Sequence, residues 1–221
     1  MQNLNIAQEI IVWTLPVLFA VTVHEVAHGW VAQRLGDPTA MMLGRLTLNP
    51  LKHIDPVGTV LVPMLLLMMG GFVFGWAKPV PITWENLRNP KRDMILVAAA
   101  GPLANLAMAF FWAFIMKLAL VLPTVGPPFQ SLILAMFYMG VAGITINILL
   151  MVLNLLPLPP LDGGRVMTSV LPPRAAMAFS RIEPYGIVIL ILLLVTGVLW
   201  YLIGPVMNFF NHALFTIAGL G

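Results

Sequence analysis

Four stretches of this chain, about 6–35, 94–122, 132–156 and 187–203, are apolar over lengths close to or beyond the roughly 20 residues that a helix needs to cross a hydrocarbon core. That feature sets the fold class: an all-α membrane protein, built as a polytopic helical bundle. Composition agrees, since 60% of the 221 residues are hydrophobic and 9% are charged, against roughly 25% charged in ordinary soluble domains. No long stretch carries the polar, alternating pattern of an appended globular module, so residues 1–221 read as one domain. The N-terminus lacks a basic leader followed by a small-residue cleavage site, and the first apolar stretch reads as a retained span. The partner that composition implies is the lipid bilayer; nucleic acid is not implied by a net charge of +3. Nothing in the sequence sets an oligomeric state.

Between the first two certain spans lies a less regular region. The apolar run from Val57 to Trp76 contains Pro63 and the pair Gly70-Gly71, and Lys78 to Asp93 holds Pro79, Pro81 and Pro90. Prolines this dense argue against helix and for irregular or short-strand structure. Lys and Arg collect in cytoplasmic loops. Ten of the eleven basic residues, all but Lys117, fall on one face if the 57–76 run is a re-entrant hairpin bent at Gly70-Gly71. A full crossing would send Lys78, Arg88, Lys91 and Arg92 to the other face. The reading is therefore a small re-entrant or β-strand element here, with the N-terminus outside and the basic segments in the cytoplasm. A short terminal apolar segment, about 206–218, follows Pro205.

Chemistry is concentrated in the first span. His24-Glu25-Val26-Ala27-His28 fits H-E-x-x-H, which on a helix sets two imidazoles one turn apart on one face, able to share a zinc ion. Glu25 beside them would take a proton from the attacking water and later deliver it to the leaving amine. Ionisable residues inside a span cost about 2.5 kcal/mol or more each unless partnered or functional, so a chance match is a poor explanation. At about 1.5 Å per residue the pair lies roughly 12 to 18 Å inside the cytoplasmic face.

The chain has no cysteine, so a third ligand must be His, Asp or Glu. Asp162 is the best candidate: it follows Leu155-Leu156-Pro157-Leu158-Pro159-Pro160-Leu161, where helix is barred, and precedes Gly163-Gly164, which lets backbone approach another element. The bland alternative is an Asp capping the helix that starts near Gly164. His53 is the rival ligand. Asn154, eight residues before Asp162, could donate to the oxyanion of a tetrahedral intermediate, whereas Asn105 and Asn147 read as interhelical glue. Ala98, Gly101, Ala104 and Ala107 place small residues at helical spacing, for close packing against the metal-bearing helix.

These residues resemble the site-2 proteases, intramembrane zinc metalloproteases. His24-Glu25-Val26-Ala27-His28-Gly29 is similar to their first motif, Ala100-Gly101-Pro102-Leu103-Ala104-Asn105 to their central span, and Asn154-Leu155-Leu156-Pro157 through Leu161-Asp162-Gly163-Gly164-Arg165 to their second metal motif. The resemblance implies His24, His28 and Asp162 as ligands of one Zn2+ per chain, Glu25 as acid/base and Asn154 as a substrate-facing residue. The stretches 49–56 and 75–81 look like the compact bacterial and archaeal subgroup, without a PDZ or nucleotide-binding module, which implies a prokaryotic cell membrane. The expected activity is hydrolysis of peptide bonds in membrane-spanning protein substrates. Helical backbone hides its carbonyls, so Trp76, Ala77, Lys78 and Val80 are candidates for a strand edge that holds an unwound substrate extended. The alternative from another class is a non-catalytic zinc-binding transporter or sensor, against which the metal motif occurring only once is the main argument.

Overall fold

The computed structural model describes residues 5–68, 75–123 and 126–220. Its helices are α1 (Ile6–Arg34), α2 (Thr39–Met42), α3 (Val62–Met68), α4 (Pro90–Val121), α5 (Pro127–Asn154), α6 (Asp162–Val170), α7 (Pro173–Ser180), α8 (Gly186–Val195) and α9 (Val198–Ala218). Five helical stretches, beginning at Gln8, Pro90, Phe129, Pro173 and Val198, are long and apolar enough to cross a membrane. The chain is an integral membrane protein of helical architecture.

Local chemistry sets the helix ends. At the start of α1, Asn5 Oδ1 accepts from Gln8 N–H at 2.9 Å and Gln8 Oε1 accepts from Asn5 N–H at 3.0 Å, a reciprocal cap for two otherwise orphaned donors. At its other end Gly36 turns the chain with φ +115°, and Asp37 N–H returns to Ala32 O at 2.9 Å. Pro90 and Pro127 sit at the first turns of α4 and α5, where no partner for a proline nitrogen is needed, so both helices begin a few residues earlier than the apolar pattern indicates.

The centre of the fold is α4, which packs against α1, α5, α6 and α9. Lipid is as apolar as a core side chain, so helices in a membrane associate through close contact and polar pairing more than through burial from water. α5 supplies the contact: a Cβ on Gly140 would lie 2.6 Å from Met116 Cβ, and one on Gly143 would lie 2.1 Å from the Trp112 ring. Met116, Ile144, Ile148 and Ile203 are fully enclosed around that junction.

Two expectations need correction. No strand forms among the described residues, so the small re-entrant or β-strand element expected between the first two spans is not supported, and the bend expected at Gly70-Gly71 lies outside them. The Val57–Trp76 run starts instead as a π-helical turn, Pro56–Leu61, capped by Asp55 on the N–H groups of Val57 and Gly58 at 3.0 and 2.7 Å, and continues into α3. The chain returns where Trp76 N–H donates to Gly58 O at 3.1 Å. Pro79 and Pro81 remove two ladder donors from the stretch that follows. The second correction concerns the last spans. The helix expected over 187–203 breaks at Gly197, which adopts φ +77°, and α9 then runs without interruption through Pro205 to Ala218.

Asp37 ties this irregular stretch to the end of α1. It is fully buried, and its carboxylate accepts from Thr39 N–H at 3.0 Å, the Thr39 hydroxyl, Asn86 Nδ2 at 3.1 Å and Thr83 N–H at 2.7 Å. Burial pushes its pKa up, but the hydrogen bonds from Thr39, Asn86 and Thr83 outweigh that and hold it below the ordinary carboxylate value. Asp37→Ala is expected to cost about 3 kcal/mol, because charge-assisted bonds are lost and donors are left unmet. Since the folded pKa is the lower one, the Asp37 contribution is complete above the unfolded value of about 4 and disappears as pH falls through the folded value. Thermal unfolding in detergent between neutral and acid pH should show that slope in the parent protein and a shallower one in Asp37→Ala.

Candidate metal centre

His24 and His28 project from one face of α1, one turn apart, toward α4 and the start of α6. Position 101 decides how close α4 comes. A Cβ on Gly101 would lie 2.4 Å from His28 Nε2 and 2.5 and 2.6 Å from His24 Cε1 and Nε2, so the two rings occupy the space that any other residue would fill. Ala98 is buried on the same face, while Ala107 is exposed and takes no part, a departure from the small-residue stripe expected over 98–107. Asp162 arrives from the other side as the first residue of α6. The proline-rich link before it folds back over α6: a Cβ on Gly163 would lie 2.3 Å from Leu156 O and one on Gly164 would lie 2.5 Å from Pro159 N. The Asp162 side chain caps nothing in α6, which disposes of the capping alternative.

The three donor atoms converge. His24 Nε2 and His28 Nε2 are 3.0 Å apart, and Asp162 Oδ2 lies 3.3 and 3.2 Å from them. All three residues are buried. His28 Nδ1 lies 2.7 Å from Val97 O, a carbonyl that can only accept, so the proton is on Nδ1 and the Nε2 lone pair faces inward. His24 Nδ1 lies 2.6 Å from Asn105 Oδ1, with the same result. Asp162 Oδ2 is enclosed and accepts no hydrogen bond among the described residues. A cation between three buried electron-rich atoms would meet all of them at once. A tetrahedral ion with bonds of about 2.0–2.1 Å has donor–donor edges of about 3.3 Å, close to the separations of 3.0 to 3.3 Å found here. The residues fit a metal.

Glu25 is half-buried beside the group, and its Oε2 accepts from Val80 N–H at 2.7 Å. Gly29 makes that approach possible, since a Cβ there would lie 2.9 Å from Val80 Cγ1. Of the proposed substrate-strand residues, Trp76 donates its N–H to Gly58 O, Lys78 donates to His53 O at 2.9 Å, and Val80 to Glu25. Those donors are already engaged; among the described residues no hydrogen bond reaches Ala77. An open cavity of about 400 Å³ borders the same segment, lined by Leu43, Arg45, Lys78, Pro79 and Pro81. Asn154 ends α5, and its Nδ2 donates to Leu150 O at 2.9 Å. The rival ligand His53 is buried elsewhere, with Nε2 on Thr47 O at 2.9 Å, and does not join the group.

Sequence reasoning named Val80 and Gly29 without these roles and missed Val97. The N–H of Val80 was discoverable, because Pro79 and Pro81 leave it the lone donor in that tripeptide. Gly29 could be found only from its place directly after the motif. Val97 acts through its carbonyl, which leaves no mark in side-chain identity.

A model of Peptidase family M50 matches residues 12–138 and 128–197 of the chain. The chain is 39% identical over 203 residues, 90% of its length and 85% of the other's, to YwhC of Bacillus subtilis (strain 168), a candidate zinc metalloprotease. It is 32% identical to Rip2 of Mycolicibacterium smegmatis and 31% identical to Rip2 of Mycobacterium tuberculosis (strain H37Rv), candidate zinc metalloproteases too, over 83% of this chain and 67% of each of theirs. No solved structure matches the chain.

Gly101→Ala should drive the imidazoles off their positions and reduce bound metal per chain to about a tenth or less of the parent, a loss on the scale of removing a ligand-orienting contact. Gly204→Ala is the control, since a Cβ there meets nothing within 4 Å and metal content should stay unchanged. Metal analysis after equilibrium dialysis distinguishes them.

Proposed function

The chain belongs to Peptidase family M50, and from that premise we propose that this membrane metalloprotease is an intramembrane zinc endopeptidase, cutting peptide bonds within or near the membrane-spanning segments of other proteins. The observation that carries the reading is the convergence of two imidazole Nε2 atoms and one carboxylate oxygen within 3.3 Å, with Glu25 on the same helix. His24, His28 and Asp162 would hold the zinc. When bound, it supplies Lewis acidity that polarises a peptide carbonyl and activates water.

Each remaining role belongs to the chain. Glu25 accepts the proton released as water attacks and returns it to the departing amine. Val80 N–H fixes one carboxylate oxygen and leaves the other for that exchange. Asn154 keeps a second amide hydrogen beyond the one on Leu150 O, and this is the donor assigned to the developing oxyanion. A membrane-spanning substrate must unwind before its carbonyl is accessible, because helical backbone engages it internally. The Trp76–Val80 segment borders both Glu25 and the open cavity, which supports its holding the unwound chain, and Ala77, which no hydrogen bond reaches among the described residues, has backbone groups to offer.

The same reading treats residues 1–221 as one functional unit in a prokaryotic cell membrane, with the N-terminus outside and the site nearer the cytoplasmic face. Support comes from the bacterial relatives and from ten of the eleven basic residues falling either between the last residue of α1 and the first turn of α4 or after α5.

Glu25→Gln tests the proposal on a panel of membrane-spanning peptides with zinc measured in parallel. Ligand atoms survive this change, so zinc content should match the parent, while turnover should fall by about 10²–10⁴-fold. Undiminished cleavage by Glu25→Gln would remove Glu25 from the mechanism. Zinc retained with no cleavage by the parent would favour a non-catalytic binder.

A further inference from the structure

We infer that Asn105 and Asn147 are positioning residues of the metal centre: they form a one-way hydrogen-bond chain from α5 through α4 that holds the His24 ring with its proton on Nδ1 and its Nε2 lone pair turned to the metal. This rests on the zinc reading above and goes beyond it. Two asparagines in neighbouring membrane helices ordinarily serve as interhelical glue, and here they do more because both ends of the chain are anchored on groups that cannot reverse.

The polarity follows from the anchors. Gly143 O and Ala20 O are backbone carbonyls, which only accept. Asn147 meets Gly143 O at 2.8 Å, so the atom facing it is Nδ2 and Oδ1 turns toward Asn105. Asn105 then gives one amide hydrogen to Asn147 Oδ1 at 2.9 Å and the other to Ala20 O at 3.2 Å. Both of its hydrogens are committed, and its Oδ1 is left facing His24 Nδ1 at 2.6 Å. An acceptor at that place requires a proton on Nδ1, which leaves Nε2 free as a ligand. Flipping the Asn105 amide would set its oxygen against Ala20 O and Asn147 Oδ1 together.

Burial makes the arrangement rigid. Asn105 and Asn147 are 0% exposed, and no water competes for their groups at such depth. His28 reaches the same tautomer through Val97 O alone, so the two imidazole ligands are oriented by different means. One uses a single carbonyl of α4; the other uses a side-chain relay that couples α1, α4 and α5.

The test is zinc affinity of the full chain in detergent, measured by competition with a chromogenic chelator, for Asn105→Leu, Asn147→Leu and the double variant. Asn105→Leu should weaken zinc binding by about 10–100-fold, the usual effect of losing a ligand's orienting partner. Asn147→Leu frees the Asn105 amide without touching His24 and should weaken it by about threefold or more. If Asn147 acts through Asn105, the double variant binds zinc no more weakly than Asn105→Leu. Nitrogen-15 spectra of histidine-labelled, zinc-loaded protein should show the His24 Nδ1–H signal in the parent and its change in Asn105→Leu. Parental zinc affinity in folded variants that have merely lost thermal stability would reduce both asparagines to glue, and additive losses would overturn the relay. Parent protein that holds no stoichiometric zinc would overturn the functional reading as well, so the two failures are told apart. Should Asn105→Leu fail to fold, Asn147→Leu decides the matter, since its His24 contact stays intact.

Discussion

In a hydrocarbon medium an imidazole or carboxylate has no water to turn to, so each proton and lone pair on His24, His28 and Asp162 must be answered from within the chain. Outward-facing Nδ1 protons are answered by Val97 O and Asn105 Oδ1. What remains is an inward-facing set of lone pairs, of which Asp162 Oδ2 meets no donor among the described residues. Most other features of the fold follow from keeping that set together. Gly101 lets α4 approach the rings, Gly163 and Gly164 let the proline link fold over α6 and deliver Asp162, and Gly29 lets the 75–83 segment come down onto Glu25.

The same few contacts connect the centre to the parts that would handle substrate. Val80 N–H on Glu25 joins the acid/base candidate to an irregular segment whose far end is fastened to α1 through Asp37. Irregular backbone at such a place is tolerated when protein covers it or when it borders a cavity, and the space over Lys78, Pro79 and Pro81 is of that kind. A helical frame thus carries the donors, while the stretch without regular structure borders the cavity.

Features that rest on local spacing were legible in the sequence. H-E-x-x-H gives its geometry by helical pitch, the apolar stretch expected over about 6–35 is realised as α1, and the proline and glycine residues around Asp162 marked it as a backbone that could reach another element. The strand expected near Trp76 was not realised, because alternating prolines suggest an extended chain without saying where its few N–H groups go. Those of residues 76, 78 and 80 go to Gly58, His53 and Glu25. Gly197 lies within the apolar stretch expected over about 187–203, and its positive φ marks the break between α8 and α9. Asn105 and Asn147 were read as interhelical glue, and they do join α4 to α5, but their link to His24 was not legible: they are separated from each other by 42 residues and from His24 by up to 123, and only the packing of three helices brings them together.

The central claim is a metal ion held by two imidazoles and a carboxylate inside the membrane-spanning bundle. X-ray absorption at the zinc edge on the purified chain tests it most directly. The expected spectrum shows one zinc per chain with imidazole nitrogen scattering from two ligands and an oxygen ligand, at bond lengths of about 2.0–2.1 Å. A coordination sphere without imidazole, or the absence of stoichiometric zinc after reconstitution, would contradict the account.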